Sequence, residues 1–310
     1  MLVAGILLAI IGVGAGATAW IGSSYGDEVT RVSDAFPAGA RPSPASAEPG
    51  ETEPLTFLLI GVDAEAPDVN ETTAGSINLV RFDGDQKHAQ VITLPSDTSV
   101  GALGQGGRTL DATYGADGTA GLVKAVEEIT GVRINNVAVL DFAGFRTITD
   151  ALGGIEVNVT SPVNTPERSF RPGVQRLDGR AALEYTRPEP SAKVDDQDTI
   201  RRQQQVIGGI FASASQQGLL TNLGKLTEFL TAITGALQVD DTLNNTDLIG
   251  LAFNMRGLTA ANISYISVPI SGIGREAGKA VAYLDEARAD VLWGYLKTDD
   301  LTEHVGDFKG

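Results

Sequence analysis

The sequence predicts an α/β fold built around one main domain, on three observations. A continuous apolar run, LTFLLIGV from Leu55 to Val62, reads as a strand buried on both faces. Beyond Gly118 the apolar spacing switches between about 3.6 and about 2 residues over short distances, so helices and strands alternate. Glycines stand where those helices should end, at Gly131 and at Gly153-Gly154.

The elements follow in order. LTFLLIGVDA opens the body and carries an acid, Asp63, at its end, either as a site residue or as a cap of the following turn. SINLVRF (Ser76 to Phe82) and HAQVITL (His88 to Leu94) are two further strands that flank the turn DGDQK. The third strand runs into PSDTSV, and a polar loop after a buried strand is where an α/β sheet keeps its site. A helix is expected over Gly118 to Val132, then strand, helix and strand through NNVAVLDFAGFRTITDALGGIEVNV, with Gly153-Gly154 as a structural turn. AALEYT reads as a strand that delivers Arg187 at its end, and a helix is expected to start near Asp198. LLTNLGKLTEFLTAITGALQV has helical spacing, ISYISVP reads as a strand, and YLDEARADVLWGYL as a closing helix with Trp293 in the core.

Composition narrows the chemistry. A formal charge of −16 over 310 residues provides no basic field for a polyphosphate backbone, so any anion site must be local. The absence of cysteine removes disulfides, thiolate zinc sites and a cysteine nucleophile together. His88 and His304 are the only histidines and neither sits in a Ser-His-Asp context. GALGQGG lacks the Lys-Ser/Thr ending of a phosphate-binding loop and reads as a surface loop.

The first residues, Met1 to Gly22, contain no charged side chain and are long enough to cross a bilayer. We read them as an uncleaved anchor that places the body on the extracytoplasmic side of the cell membrane; Ala17-Thr18-Ala19 keeps a cleaved signal peptide as the rival. Residues 23–54, with PAGARPSPASAEPGETEP at their end, read as a disordered or extended stalk, and residues 55–310 as the extracytoplasmic domain.

GVDA, LPSDT, VLDFAGF, DALGGIEVNV, LDGRAALEYTR and the D-x-x-R-x-x-Q-Q run occur in this order between Leu55 and Ile210, and this resembles the LytR-CpsA-Psr (LCP) family. The resemblance implies a three-layer α/β/α sandwich with a mixed central sheet and a hydrophobic tunnel that holds a polyprenyl chain. It implies transfer of a glycopolymer from a polyprenyl (pyro)phosphate to peptidoglycan or a related cell-envelope acceptor, with Mg2+ assisting. Guanidinium forks suit such a substrate, because they bind phosphate oxygens bidentately and stay charged. Arg187, Arg201 and Asp198 are therefore the expected catalytic residues. Arg187, Arg201, Arg202, Gln205 and Arg108 are the expected substrate ligands, and Asp97 the metal ligand. Asp198, Arg201 and Gln205 are spaced to share one helix face, although a plain cap and its surface ion pair would look the same.

Several positions depart from the family pattern. Gly75 stands where an acid is usual, Ser96 and Glu189 where arginines are, and Thr109 where a lysine is, with Arg108 beside it. Asp68 and Glu71 precede the second strand and are the nearest acids in sequence that would replace the one missing at Gly75. These departures keep a second reading open: a degenerate relative that binds polyprenyl-phosphate glycans, or a partner transferase, without turnover.

Overall fold

The computed structural model describes residues 30–45, 52–62, 74–85, 87–101, 107–186, 197–219, 229, 236–243, 258, 260–276 and 278–308. These form two compact units, one of residues 31–139, 239–242 and 261–310, the other of the described residues within 140–238 and 243–260.

The first unit is organised by a seven-stranded sheet, taken in the order β1 (Thr30–Val32), β10 (Leu237–Asp240), β5 (Asn136–Asp141), β2 (Leu55–Val62), β3 (Ala74–Phe82), β4 (Ala89–Leu94) and β11 (Ile263–Ser267). β2, β3 and β4 pair antiparallel while β4 and β11 run parallel, so the sheet is mixed, as expected for this α/β fold. β2 shows no alternation because both of its faces are buried. Leu58, Ile60, Ile77, Leu79 and Ile92 join one cluster with Leu122 and Val126 of helix α1 (Leu110–Thr130) and with Trp293 of helix α5 (Glu286–Thr298). Phe57 and Phe82, on neighbouring strands, meet edge to face at 5.7 Å. Each such side chain contributes about 1.5–3 kcal/mol by burial, so the apolar run is what orders the strand.

The helix expected over Gly118–Val132 is the second half of α1, since Gly118 has non-helical angles and marks a kink. Gly131 ends it in the left-handed region, with its N–H donating to Glu127 O. After α5 come a short helix, α6 (Leu301–His304), and a 3-10 turn to Phe308. Trp293 is buried in the core, as the sequence predicts.

Two sequence expectations need revision in this unit. Residues 30–45 fall within the segment read as stalk, yet they belong to the fold. β1 lies in the sheet, Ala35 is buried, and Arg41 stacks on Phe36 while donating to Glu127 Oε2 and Oε1 at 3.0 and 2.7 Å. Proline and alanine conceal how few anchors, here Phe36 and Arg41, are enough to hold such a segment. The membrane location is likewise not upheld, because among the described residues no helix is long and apolar enough to cross a membrane. Met1 to Gly22, on which that expectation rested, lie outside the described residues.

The second unit begins at helix α2 (Phe142–Ala151), whose N-cap Asp141 accepts from Gly144 N at 2.5 Å. Two antiparallel ribbons follow: β6 (Ile155–Val159) with β9 (Gly173–Leu177), and β7 (Val163–Asn164) with β8 (Ser169–Phe170). Helices α3 (Gly179–Thr186) and α4 (Gln197–Gln216) complete it.

AALEYT is helical, which corrects the expected strand. Asp178 Oδ1 accepts from Ala181 N at 2.7 Å and caps a segment of alanine, leucine and glutamate, all good helix formers. The whole run is buried, so its apolar pattern carries no period, and burial in a helix looks like burial in a strand.

α3 also sits against backbone. A Cβ at Gly179 would lie 2.5 Å from Arg146 O and 2.6 Å from Arg146 Cα, neither of which can swing aside. Asp150 Oδ1 further fixes the turn by accepting from Gly179 N at 2.8 Å. Gly179→Ala is therefore expected to cost about 3 kcal/mol, at the upper end of overpacking effects, measured as a lowered chemical-denaturation midpoint. An unchanged midpoint would mean that α2 and α3 do not pack this closely.

Candidate functional site

α4 delivers most of the expected site residues. Asp198 falls in its first turn, Arg201 is exposed, and Arg202 is buried at 6% exposure. Gln205, one turn after Arg201, is held at both ends: its Oε1 accepts from the Tyr185 hydroxyl at 2.7 Å and its Nε2 donates to Asn158 O at 2.8 Å. Helix α4 is thereby tied to α3 and to β6 through one carboxamide. Tyr185 is buried with its ring edge-on to Phe170 at 5.1 Å. Burial raises the pKa of its phenol, and the charges of Arg202 and Arg201 work against that rise. Both guanidiniums thus act on the same hydroxyl, which makes Tyr185 the centre of the cluster.

The spacing of Asp198, Arg201 and Gln205 is thus that of one face of a helix. Gln205 spends its carboxamide on holding elements together. Arg202 is the more buried of the two arginines. Arg187, Glu189, Asp63, Asp68 and Glu71 lie outside the described residues.

Asp97 belongs to the first unit, in the loop after β4, and that loop is tightly tied. Asp97 O accepts from Ala282 N at 3.0 Å, Ser96 O from Asp111 N at 2.9 Å, and Thr98 O from Leu110 N at 3.0 Å. The loop is thus fastened to the first turn of α1. Burial raises the Asp97 carboxyl above the ordinary range, a backbone hydrogen bond opposes this, and the charge of Asp111 adds to it. Asp111 is an acid that sequence reasoning missed; its signal was its place in RTLDATY, in the first turn of the helix after the site loop.

The departures from the family pattern acquire a setting here. β3 pairs Ile77 with Leu94, which puts Gly75 level with the start of the loop that carries Asp97. The absent acid is thus absent beside Asp97. Thr109, at the lysine position, donates its hydroxyl to Asp111 Oδ1. Arg108 pairs with Asp117 Oδ2 at 2.7 Å, both side chains more than half exposed, a pair of the kind that contributes little and opens readily.

A comparison against known proteins agrees with the mixed sheet and its order of elements. The model of the LytR_cpsA_psr family matches residues 27–298. The chain belongs to the LytR_cpsA_psr family. Among curated relatives it is 26% identical over 250 residues to the cell wall biosynthesis protein LcpA of Corynebacterium glutamicum, covering 71% of this chain and 48% of LcpA. It is 26% identical over 265 residues to TagV of Bacillus subtilis, named a polyisoprenyl-teichoic acid–peptidoglycan teichoic acid transferase, covering 82% of this chain and 65% of that protein. The chain therefore spans about half the length of LcpA and about two thirds of TagV. The crystal structure of B. subtilis TagV superposes with a TM-score of 0.67 at 21% identity, over 84% of this chain and 100% of that one, so the LCP fold is shared.

Proposed function

We propose that this LCP protein transfers a glycopolymer from a polyprenyl (pyro)phosphate to peptidoglycan or a related cell-envelope acceptor. The observation that carries this is the arginine cluster of α4, with Arg201 exposed and Arg202 buried beside a Tyr185–Gln205–Asn158 chain. It supports the reading because an exposed guanidinium on a rigidly held helix is a preorganised phosphate ligand.

Arg201 is the group that binds the phosphoryl oxygens, with Arg187 as the partner that the family resemblance implies. Arg202 contributes charge from behind, and Gln205 keeps the face of α4 in register through Tyr185. The first amides of α4 favour an anion at that end of the helix. In the reaction an acceptor hydroxyl oxygen attacks the phosphorus that carries the glycan. With a lipid pyrophosphate, the bond from that phosphorus to the bridging oxygen breaks, the lipid phosphate leaves with the electron pair, and the acceptor's hydroxyl proton passes to solvent. The arginines stabilise the charge spread over the transferring group.

The residues present fit a magnesium ion. Asp97 and Asp111 are two hard oxygen donors close enough for one to raise the pKa of the other, and substrate phosphates and waters would complete an octahedron. Asp97 would hold the ion, with Asp111 as the second acid nearby. The ion would neutralise charge on the (pyro)phosphate.

Gly75, Ser96, Thr109 and Glu189 favour the second reading, a binder of polyprenyl-phosphate glycans without turnover. One experiment separates the two. The purified chain is incubated with a lipid-linked glycan pyrophosphate, a peptidoglycan oligomer and Mg2+, and scored for glycan on the acceptor and for released lipid phosphate. Transfer is expected. Retained lipid-glycan binding with no product would leave the binder as the function.

A further inference from the structure

At the other end of β4 from Asp97, the β3–β4 turn gathers a second set of metal-ligating groups. One ligand atom from each of Asp83, Asp85 and His88 lies within 4.8 Å of the others. The turn is closed by Asp83 N donating to His88 O at 3.3 Å. His88 Nδ1 stands 3.0 Å from Asp85 Oδ2, while Asp85 Oδ1 is occupied by Lys87 N at 2.8 Å. β4 is 6 residues long, so this cluster and Asp97 are separated by a strand of about 20 Å.

Asp83 is the unusual member. It is buried at 7% exposure, and its donors are neutral: Thr302 Oγ1 at 2.5 Å and the Gln90 carboxamide. The nearby guanidinium, Arg81, is engaged by Asp299 Oδ1 at 3.1 and 2.8 Å and by Thr56 Oγ1 at 3.0 Å. Burial, with the charges of Asp299 and Asp85 behind it, pushes the Asp83 carboxyl up to about 6.

Gln90 is a separate indication. It is buried at 1% exposure and directed at the same place, its Nε2 donating to Thr302 Oγ1 at 2.6 Å and to Asp83. Its Oε1 is buried without a hydrogen-bond partner. A buried acceptor with no donor, next to a buried carboxylate whose hydrogen-bond donors are neutral, is the pattern that a hydrated metal ion completes, since bound water donates to the one and the ion compensates the other.

We propose that Asp83, Asp85 and His88 form a binding site for a divalent transition-metal ion, independent of any magnesium at Asp97. Two carboxylates with an imidazole are a mixed oxygen and nitrogen set, which suits zinc or manganese; magnesium prefers oxygen alone. Through Thr302 the ion would couple the β3–β4 turn to α6.

The test is calorimetric titration of the full chain, stripped with chelator, with Zn2+ as the probe. One site is expected. Asp85→Asn and His88→Gln should each weaken it about tenfold or more, whereas His304→Gln and Asp97→Asn should leave it unchanged. His88 and Asp85 are partly exposed, so both variants should melt like the wild type in chelator, and the wild type should gain more melting temperature than either on adding Zn2+. Absence of Zn2+ binding by the wild type, or His88→Gln binding as tightly as the wild type, would overturn the site. Displacement of Zn2+ by equimolar Mg2+ would overturn the metal class.

Discussion

Arg201→Ala should lower glycopolymer transfer by about 100-fold or more while leaving stability nearly unchanged, and Arg202→Ala should do much of the reverse. The two arginines are adjacent in sequence, but Arg201 is exposed and Arg202 is buried at 6% exposure. An exposed guanidinium that stabilises a transferring phosphoryl group is worth roughly what a preorganised donor is worth, about 3–4 kcal/mol of barrier. Losing it removes little packing. Arg202→Ala instead opens buried volume and removes a charge that acts on Tyr185, at a cost of about 2–3 kcal/mol to folding. Arg201→Lys should recover only part of the activity, because an ammonium lacks the fork. Turnover at a fixed enzyme concentration and urea midpoints for all three variants decide the matter. Wild-type turnover by Arg201→Ala would take that residue out of the site.

The same pair shows what the sequence could and could not reveal. Spacing is enough to put Asp198, Arg201 and Gln205 on one face of α4, since a helix has a fixed period. Spacing does not say which side of that face is covered, so the burial of Arg202 beside an exposed Arg201 was not legible. The hydrogen bonds of Gln205 were not legible because its partners, Tyr185 and Asn158, are 20 and 47 positions away. The β2 strand and the end of α1 at Gly131 were legible for the opposite reason, because an apolar run and a C-capping glycine are signals within a few residues. AALEYT failed where burial erases the period, and the start of the body failed where two anchors, Phe36 and Arg41, were hidden in a proline-rich segment. Asp111 escaped notice because what matters about it is its nearness to Asp97, and that is made by a loop fastened to a helix end.

Asp299→Ala should destabilise the protein by about 3–5 kcal/mol, the largest effect on stability expected of any single substitution considered. Arg81 is 2% exposed and Asp299 7%, and the carboxylate takes three donors: Arg81 Nε, Arg81 Nη2 and, at 2.8 Å, Gly84 N. Burial pulls the pKa of the Arg81 guanidinium down, and Asp299 is the main group that opposes this. Removing the acid leaves a charge in the core with Thr56 Oγ1 as its remaining hydrogen-bond partner and Asp83 as the weaker opposite charge, and an amide of the β3–β4 turn without its acceptor. The cost therefore comes from what is left behind more than from the attraction lost. It follows that Arg81→Met combined with Asp299→Ala should be more stable than Asp299→Ala alone, because the stranded charge is gone. Asp299→Asn should fall between the single mutant and the wild type. Asparagine tolerates the left-handed backbone at this helix end, where φ is 64°, and keeps an acceptor while losing the charge. Denaturant midpoints for the three variants test the chain of reasoning, and a double mutant no more stable than Asp299→Ala would show that the buried guanidinium is not the source of the loss.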